Sequence, residues 1–346
     1  MDRIKIGFIG CGRHATKVLY PSLRYVPIDL TAVCDLDENL VRRNAHWFGA
    51  TSQFTDYKDM LDKCQLDGVV IVTGPKSHAE IANNVIQRGV PVFMEKPPAY
   101  TLSEAEKLLD KSEKSGVHIT VGMMKRWTPV YQRVKEIISA KEFGKTSHVQ
   151  AMFRVGQKHC SGYALLLDAG IHILDLVRFL GGDVVSIQGE KYQSEMGIAY
   201  AINLRFENGA VGNVHVSDQG SWSCANEAIE ITGNGAFVRA ENLINLRVTK
   251  KDGSTICWEP GFSIPQNQNN SLFVQGYVPQ FEAWAQAVLT KTKPKSTIAE
   301  TCHAMRLIKT LEPGEEYIKK PMQFAHWQAE EAWLKGFEDN LKGIEG

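Results

Sequence analysis

The chain has 346 residues, of which 43% are hydrophobic and 23% are charged, and its 39 basic and 39 acidic residues cancel. These values are typical of a folded protein with room for two domains, and the balanced charge argues against binding to nucleic acid, which needs a basic face. The seven cysteines form no Cys-x-x-Cys pair, and no apolar run approaches the roughly 20 residues that span a bilayer. We therefore expect a cytoplasmic protein without a disulfide framework, a signal peptide or a membrane partner.

Apolar runs alternate with polar, helix-competent stretches through the first third of the chain. This alternation predicts a parallel β-sheet with helices on both faces. A capping box at Ser103 and Glu106 is predicted to start the last of these helices. The predicted strands are Ile4–Ile9, Ile28–Cys34, Gly68–Val72, Val90–Met94 and Val117–Val121, and the predicted helices are Thr16–Tyr25, Asn39–Phe48, Ser77–Arg88 and Ser103–Ser115.

A glycine-rich turn follows the first predicted strand, with Gly10, Gly12 and Ala15 in a Gly-x-Gly-x-x-Ala spacing. In a dinucleotide-binding turn the first glycine permits the sharp turn and the second lets the backbone approach a pyrophosphate. The small third residue lets the helix pack on the strand, and amides at the helix N-terminus receive the phosphates. The position between a strand and a helix favours a nucleotide site over a turn without a ligand.

Asp35 ends the second predicted strand, about 20 residues after the glycine turn. A carboxylate at this point accepts hydrogen bonds from the adenosine ribose hydroxyls and repels a 2′-phosphate, so it favours NAD over NADP. Arg13 can still bind a phosphate, which keeps NADP as the second choice. Asp35 can alternatively serve only as a cap for the helix that begins at Asn39.

Polar residues also follow two later strands. At the carboxyl edge of a parallel sheet such loops border the ligand crevice. Thr73 and His78 lie in the loop after the third predicted strand, where Ser77 and His78 can also simply begin the next helix. Glu95-Lys96-Pro97 follows the fourth predicted strand and places a lysine at the rim of the sheet.

The pattern changes after about residue 124. Three Asn-Gly or Asp-Gly pairs, at 208–209, 234–235 and 252–253, separate apolar runs and supply the positive φ angles that tight hairpins need. We predict a dinucleotide-binding domain over residues 1–124 and an α+β domain with a large, mainly antiparallel sheet over residues 125–346. The predicted helices of this part are Thr128–Ala140, Leu167–Leu180, Gln280–Leu289 and Ile298–Thr310, with a strand at Ser147–Val155 and an amphipathic tail helix at Phe324–Leu341 that packs in the core or on another subunit.

Asp168 and His172 are four residues apart in a predicted helix, so an α-helix places them on one face. The carboxylate can orient the imidazole and raise its basicity, which suits a base that removes a hydroxyl proton during alcohol oxidation. Two other interpretations stay open. The pair can be a helix cap beside a structural histidine, or, with Asp175, part of a metal site, although hydride transfer to nicotinamide requires no metal.

Taken together and in this order, Gly10-x-Gly12-x-x-Ala15, Glu95-Lys96-Pro97 and Asp168-x-x-x-His172 resemble the motifs of the glucose–fructose oxidoreductase / inositol dehydrogenase (Gfo/Idh/MocA) family. The resemblance covers nearly the whole chain and implies an N-terminal Rossmann domain followed by a domain with a large, mainly antiparallel sheet. One departure concerns the family's Thr-Pro-Asn-x-x-His loop. It is Thr73 to His78 here, and Pro75 stands where the family has asparagine.

The resemblance implies roles for individual residues. Lys96 contacts the nicotinamide and a substrate hydroxyl, His172 is the acid/base, and Asp168 is its partner. Lys125 and Arg126 lie in a segment that enters the cleft. The residues expected to bind NAD are Gly10, Gly12, Arg13, Ala15, Asp35, Thr73, His78, Glu95 and Lys96, and those expected to bind substrate are Lys96, Lys125, Arg126, Tyr163 and His172. Tyr163 is a candidate, like Arg154 and His159, only because it lies near Asp168 in sequence.

The expected activity is NAD-dependent oxidation of a secondary hydroxyl of a sugar, glycoside or cyclic polyol by a homodimer or homotetramer that associates through the C-terminal sheet. A second hypothesis keeps the site but ends in redox-neutral cleavage of a glycoside after transient oxidation at C3. A third hypothesis is a catalytically silent NAD sensor, which would have no need of Lys96, Asp168 and His172.

Overall fold

Six parallel strands form the first sheet of the computed structural model, which describes residues 2–221, 226–259 and 271–314. The strand order is β3-β2-β1-β4-β5-β6, so the direction of winding reverses between β1 and β4. The carboxyl ends of β1 and β4 therefore meet at the switch point of a Rossmann fold, as predicted. The strands are β1 Ile4–Ile9, β2 Ile28–Cys34, β3 Ser52–Phe54, β4 Gly68–Ile71, β5 Val92–Met94 and β6 Ile119–Val121.

The helices of this first half largely follow the prediction. The segment predicted as one helix, Thr16–Tyr25, consists of a π-helical turn, one turn of α-helix and a 3₁₀ turn. Pro21 lies in it and has no N–H to donate to an α-helical ladder. The elements are the π-turn Ala15–Leu19, α1 Tyr20–Ser22, the 3₁₀ turn Leu23–Tyr25, α2 Glu38–Phe48, α3 Tyr57–Lys63, α4 Pro75–Ile86 and α5 Leu102–Ser115.

The capping box that starts α5 lies two residues earlier than predicted. The Glu104 amide donates to the Thr101 hydroxyl at 3.2 Å, and the Thr101 amide donates to the Glu104 carboxylate at 3.0 Å. The prediction of Ser103 with Glu106 was therefore wrong, because two overlapping Ser/Thr-x-x-Glu spacings compete here. The cap falls at Thr101, which still has the extended backbone of a residue that precedes a helix.

Eight strands form the second sheet, in the order β14-β13-β12-β11-β7-β10-β9-β8. Strands β7 and β10 pair in parallel and every other neighbouring pair is antiparallel, which confirms a mainly antiparallel sheet. The predicted hairpin glycines Gly209, Gly235 and Gly253 have φ angles of 87°, 77° and 81°. The strands are β7 His148–Arg154, β8 Val184–Ser194, β9 Gly197–Phe206, β10 Val211–Ser217, β11 Glu227–Thr232, β12 Phe237–Glu241, β13 Asn245–Thr249 and β14 Thr255–Trp258.

The chain returns to the first sheet after crossing the second. Phe281 and Trp284 of α10 pack on Phe93 of β5, with ring centroids 4.5 and 5.7 Å away. A Cβ at Gly68 in β4 would lie 2.8 Å from the Trp284 ring, so this glycine makes room for the helix. The remaining helical elements are the 3₁₀ turn Met124–Trp127, α6 Pro129–Ser139, α7 Gly162–Leu165, the π-turn Leu166–Gly170, α8 Ile171–Gly181, α9 Ser271–Val274, α10 Tyr277–Thr290 and α11 Ile298–Leu311.

These contacts mean that one face of the Rossmann sheet is completed by the C-terminal half of the chain. The division into two domains at residue 124 stays a prediction. Residues of α10, in the C-terminal half, belong to the same hydrophobic cluster as β1. The predicted tail helix Phe324–Leu341 lies outside the described residues. In the part that is described, no helix combines the length and apolar character needed to cross a membrane.

Candidate active site

Glycine is present at the two positions of the first turn for different reasons. Gly10 has a φ angle of 110°, and a Cβ there would lie 2.0 Å from the carbonyl oxygen of Val72, so the fold itself requires glycine. A Cβ at Gly12, by contrast, would meet no protein atom within 4 Å and would point into open space. The surrounding structure therefore leaves the backbone at Gly12 open to a ligand.

Asp35 stands beside this turn at the end of β2. Its carboxylate accepts a hydrogen bond from the Cys11 amide at 2.6 Å and another from the Asp37 amide at 3.1 Å. Each carboxylate oxygen keeps a second acceptor site. Asp37, not Asp35, caps α2 by accepting from the Asn39 amide at 2.9 Å, so the alternative role of Asp35 as the helix cap is wrong.

The open glycine and the fixed carboxylate fit a dinucleotide. Gly12 leaves room for a pyrophosphate at the start of a helical segment, and Asp35 presents acceptors for ribose hydroxyls. Both residues line one cavity of about 1360 Å³ that runs along the carboxyl edge of the first sheet to Phe153 and Glu227 of the second. This volume exceeds the roughly 300–1,000 Å³ of a site for one small molecule, so it can hold a dinucleotide and a second compound.

Most of the site residues predicted from sequence line this cavity. Those on its wall are Gly10, Gly12, Arg13, Ala15, Asp35, Thr73, Glu95, Lys96, Lys125, Asp168 and His172. Three predicted residues lie outside the lining, namely His78, Arg126 and Tyr163, and their contacts show structural roles.

His78 ties two loops of the cavity rim together. The Thr73 amide donates to its Nε2 at 3.2 Å, so the proton is on Nδ1, which donates to the Pro97 carbonyl at 2.8 Å. Burial lowers the pKa of His78 and keeps the ring neutral, as these two bonds require. His78 therefore holds the loop after β4 against Glu95-Lys96-Pro97.

Arg126 and Tyr163 bond to residues that lie outside the cavity lining. The Arg126 guanidinium donates to both carboxylate oxygens of Asp175 at 2.5 Å and lies 3.5 Å from Glu300. Tyr163 donates its hydroxyl to the Tyr100 carbonyl at 2.8 Å. Arg126 is thus placed away from the substrate region, and Asp175 faces a guanidinium rather than a metal site shared with Asp168 and His172.

Lys96 lies where the two halves of the chain meet. Its Nζ donates to the carbonyl oxygen and to the carboxylate of Asp168, both at 2.8 Å. The preceding Glu95 is buried, and Gly122 leaves space for its carboxylate. Burial alone would raise the pKa of Glu95, but His14 and Lys96 outweigh that effect and hold it below the ordinary value.

Asp168 does not bond to His172, contrary to the expectation from their spacing. Its second carboxylate oxygen instead lies 3.1 Å from Nε2 of His159. The reason is local, because Asp168 falls in the π-turn Leu166–Gly170 rather than in regular α-helix. A π-turn hydrogen-bonds from i to i+5, so residues four apart no longer lie above one another.

His159 lies between two carboxylates. Its side chain is 5% exposed, with Nε2 facing Asp168 and Nδ1 at 3.6 Å from Asp218, whose carboxylate also accepts the His159 amide at 2.8 Å. Burial would lower the pKa of His159, but the two carboxylates raise it to about 9. Lys96 and His159 in turn hold the pKa of Asp168 far below its ordinary value, against the effect of burial.

His172 is held neutral by its surroundings. Burial and the nearby ammonium groups of Lys96 and Lys125 lower its pKa well below the ordinary value, and the carboxylate of Asp168 only partly opposes them. In the described part of the chain Nδ1 of His172 has no hydrogen-bond partner. The ring is therefore unprotonated at neutral pH, and it lines the cavity together with Lys96.

The second sheet supplies a buried ion pair that the sequence did not reveal. Lys125 Nζ bonds to one carboxylate oxygen of Glu227, and the other oxygen accepts from the Tyr131 hydroxyl at 2.6 Å. The ammonium also lies 4.3 Å from the centre of the Phe153 ring. Glu227 begins β11, and no spacing motif connects it with Lys125 across 102 residues.

Comparison with protein families places this geometry among known enzymes. The model of the oxidoreductase family with an NAD-binding Rossmann fold, GFO_IDH_MocA, matches residues 4–123. The model of the GFO/IDH/MocA C-terminal domain matches residues 131–239. The two matches together cover most of the chain. The first spans all six strands of the first sheet, and the second spans β7 to β11 and part of β12.

Characterised relatives and solved structures agree with these matches. The D-apiose dehydrogenase of Paraburkholderia graminis is 29% identical over 269 residues, which are 73% of this chain and 72% of that protein. The NAD(+)-dependent scyllo-inositol 2-dehydrogenase of Bacillus subtilis is 28% identical over 62% of this chain and 67% of that protein. A dehydrogenase from Chromobacterium violaceum shares the fold with a TM-score of 0.83 at 22% identity, covering 99% of this chain and 100% of that one.

We predict that Gly12→Ala preserves the fold and weakens NAD binding. A methyl group there contacts no protein atom but occupies the space left for a pyrophosphate. Overpacking of about 1–3 kcal/mol raises the Kd for NAD roughly 5- to 150-fold. Titration calorimetry with NAD and thermal unfolding of the ligand-free protein measure the two effects.

Gly10→Ala is the matched control, since it places the same methyl group 2.0 Å from a carbonyl oxygen and lowers the melting temperature of the ligand-free protein. An unchanged Kd for NAD in Gly12→Ala would show that the pyrophosphate lies elsewhere.

We predict opposite titration behaviour for the two histidines. The His159 ring titrates at pH about 9, whereas the His172 ring is still neutral at pH 6.5, where an unperturbed histidine is half protonated. NMR titration of ring-labelled histidine, assigned with His159→Gln and His172→Gln, measures both. A His159 ring that titrates at or below pH 6.5 would contradict its position between two carboxylates.

The raised pKa of His159 makes the free energy of unfolding depend on pH. Because the pKa of His159 is higher in the folded protein, its contribution to the free energy of unfolding is complete below pH 6.5 and is lost as the pH rises through about 9. This contribution is at most about 3 kcal/mol. Urea unfolding of wild type and His159→Gln should therefore converge across this window.

Proposed function

Since the chain belongs to the GFO/IDH/MocA family of NAD-binding oxidoreductases, we propose that it oxidises a secondary hydroxyl of a sugar, glycoside or cyclic polyol. The observation that carries this proposal is that Lys96 and the neutral His172 line the same cavity as Gly12 and Asp35. The dehydrogenases of apiose and inositol among the relatives support the class of substrate.

Lys96 is proposed to hold the oxygen of the reacting carbon. Bound NAD supplies the hydride acceptor for the carbon. The ammonium donates a hydrogen bond to the hydroxyl oxygen and stabilises the negative charge that develops as the proton leaves. Asp168 fixes Lys96 through two bonds of 2.8 Å, and it therefore acts on the substrate through the lysine.

His172 is proposed to accept the hydroxyl proton. A general base must be unprotonated before the reaction, and the lowered pKa of His172 ensures this. The same ammonium groups that lower its pKa also favour the alkoxide, so they lower the pKa of the hydroxyl beside it. Asp168 only partly offsets them, which limits how far the basicity of His172 falls.

The other proposed contacts follow from the lining of the cavity. Arg13 and Thr73 contribute to the cofactor half with the glycine turn, and Lys125 contributes to the substrate half. Glu95 supports the segment that carries Lys96, through its bond from the Lys96 amide at 3.2 Å. The presence of Lys96, Asp168 and His172 in one cavity favours an enzyme over a silent NAD sensor.

We predict that His172→Ala lowers kcat by roughly 10²–10⁴ and leaves the Kd for NAD nearly unchanged, because a general base contributes about that factor. Turnover with NAD and a saturating polyol, together with calorimetric titration of NAD, measures the two quantities. His303→Ala, the same substitution at an exposed residue of α11 outside the cavity, is the control with unchanged kcat. Wild-type turnover in His172→Ala would remove this residue from the mechanism.

The products that accumulate distinguish net dehydrogenation from redox-neutral cleavage of a glycoside. Dehydrogenation releases NADH in step with oxidised product, so absorbance of the nicotinamide rises with turnover. Cleavage through transient oxidation at C3 would release the sugar and aglycone of a glycoside without NADH. Measuring both products with a glycoside substrate decides between them, and NAD binding without any turnover across polyols, sugars and glycosides would indicate the sensor.

We further propose that copies of this chain associate through the second sheet. Phe237 and Val211 are exposed on strands whose adjacent residues, Val238 and Gly212, are buried. Light scattering should give a mass that is a multiple of 38.6 kDa, and Phe237→Lys should lower it. A monomeric wild type would contradict the proposal.

A further inference from the structure

We propose that the substrate is an uncharged polyhydroxy compound and that Glu227 is the residue that excludes anionic sugars from the cavity. This inference rests on the proposed function and narrows it. Sugars, glycosides and cyclic polyols can carry phosphate, carboxylate or nucleotide groups, and the arrangement of charges in the substrate half selects against all three.

The cations of the cavity wall are the first observation. Among the described residues that line the cavity, Arg13, Lys96 and Lys125 carry a lysine or arginine charge. Arg13 belongs to the glycine turn and therefore to the cofactor half. Only Lys96 and Lys125 remain in the substrate half of the described wall.

Each of these two ammonium groups is already matched by a carboxylate of the same wall. Lys96 lies 2.8 Å from Asp168, and Lys125 is bonded to Glu227. Both carboxylates line the cavity themselves. The substrate half thus presents two ion pairs rather than two available positive charges.

The charge on the far side of Asp168 is balanced as well. The imidazolium of His159 lies between Asp168 and Asp218, so two carboxylates balance it. Among the described lining residues of the substrate half, an anionic substrate would therefore find no lysine or arginine that lacks a carboxylate partner.

The physical consequence is a large difference between neutral and anionic ligands. An anion that leaves water must be compensated by a cation or by several hydrogen-bond donors. Here each ammonium is already offset by a carboxylate, so an anion would lose its hydration without gaining a net positive charge, and an uncompensated cost of about 3 kcal/mol weakens binding roughly 100-fold.

Neutral hydroxyl groups suit the same two ion pairs. A hydroxyl both donates and accepts, so neighbouring hydroxyls can donate to a carboxylate and accept from an ammonium. Tyr131 fixes one oxygen of Glu227 at 2.6 Å, and the Phe153 ring lies 4.3 Å from the Lys125 ammonium. This pair is therefore held in place as a donor and acceptor for hydroxyls.

The position of the Lys125–Glu227 pair links it to the reacting carbon. Lys125 and Glu227 line the same cavity as Lys96 and His172. A substrate with its reacting hydroxyl at Lys96 and His172 can therefore place further hydroxyls at the Lys125–Glu227 pair, which favours compounds with several hydroxyls.

The test compares matched neutral and anionic substrates with wild-type protein and saturating NAD. The pairs are D-glucose with D-glucuronate, D-galactose with D-galacturonate, and myo-inositol with its monophosphate. We expect kcat/KM for the anionic member to be lower by roughly 100-fold or more. An anionic compound that reacts as well as its neutral counterpart would overturn this inference and leave the oxidoreductase function intact. Turnover of none of these compounds would instead count against the proposed function.

Variants then test the role of Glu227. Glu227→Gln removes one negative charge from the wall and keeps a side chain of the same shape, so the ratio of kcat/KM for uronate over neutral sugar should rise roughly tenfold or more. Tyr131→Phe removes a hydrogen bond from the same carboxylate without changing its charge, and the ratio should stay as in wild type. Glu300→Gln makes the same charge change outside the cavity, beside Arg178, and should also leave the ratio unchanged.

An unchanged ratio in folded Glu227→Gln would remove Glu227 as the determinant of charge selectivity. If that variant does not fold, ionic strength provides the second measurement on wild type. Because each ammonium is offset by a carboxylate, the uronate meets no net positive charge, so salt has no attraction to screen and KM for the uronate should not rise relative to that for the neutral sugar. A KM for the uronate that rises with salt would indicate attraction and would overturn the proposal.

Discussion

The contact between Lys96 and Asp168 is the interaction on which the rest of the site depends. Lys96 follows β5 of the Rossmann sheet, and Asp168 lies 72 residues later in the π-turn before α8. Their bonds of 2.8 Å join the half of the chain that carries the dinucleotide turn to the half that carries the second sheet. Without this contact the ammonium of Lys96 would lie near the neutral ring of His172 and the like charge of Lys125, with no carboxylate to balance it. A buried charge is costly unless it is paired.

Charges alternate outward from this contact, from Lys96 to Asp168, His159 and Asp218. Each ion has a neighbour of opposite sign, so the series stays ionised, from the partly exposed Asp168 to the buried His159 and Asp218. His172 lies beside the series, where burial, Lys96 and Lys125 outweigh the carboxylate of Asp168, and its pKa falls instead of rising. Two residues four apart in sequence thus acquire opposite states, a fixed anion and a neutral base, because their surroundings differ.

Local sequence signals were sufficient to select most of the proposed cofactor and catalytic residues that line one cavity. The glycine turn, Asp35 and Glu95-Lys96-Pro97 lie at ends of parallel strands, and a Rossmann topology brings all such ends to one edge. The partner of Asp168 was predicted incorrectly because a π-turn cannot be recognised from the spacing of apolar residues. Glu227 was missed because strand pairing across the second sheet, rather than any local motif, brings it to Lys125. Arg126 was predicted at the substrate because the family resemblance places its segment in the cleft, whereas its own side chain bonds to Asp175.

The same geometry explains how one lysine can be both a structural tie and a substrate ligand. An ammonium group has three N–H donors, and the described residues account for two of them, both directed to Asp168. The side chain is 18% exposed, so the remaining donor can reach the cavity that it lines. A substrate oxygen can therefore bind Lys96 without breaking the contact that joins the two halves of the site. Binding then costs no reorganisation of this pair, and the ammonium is already oriented when negative charge develops on the oxygen.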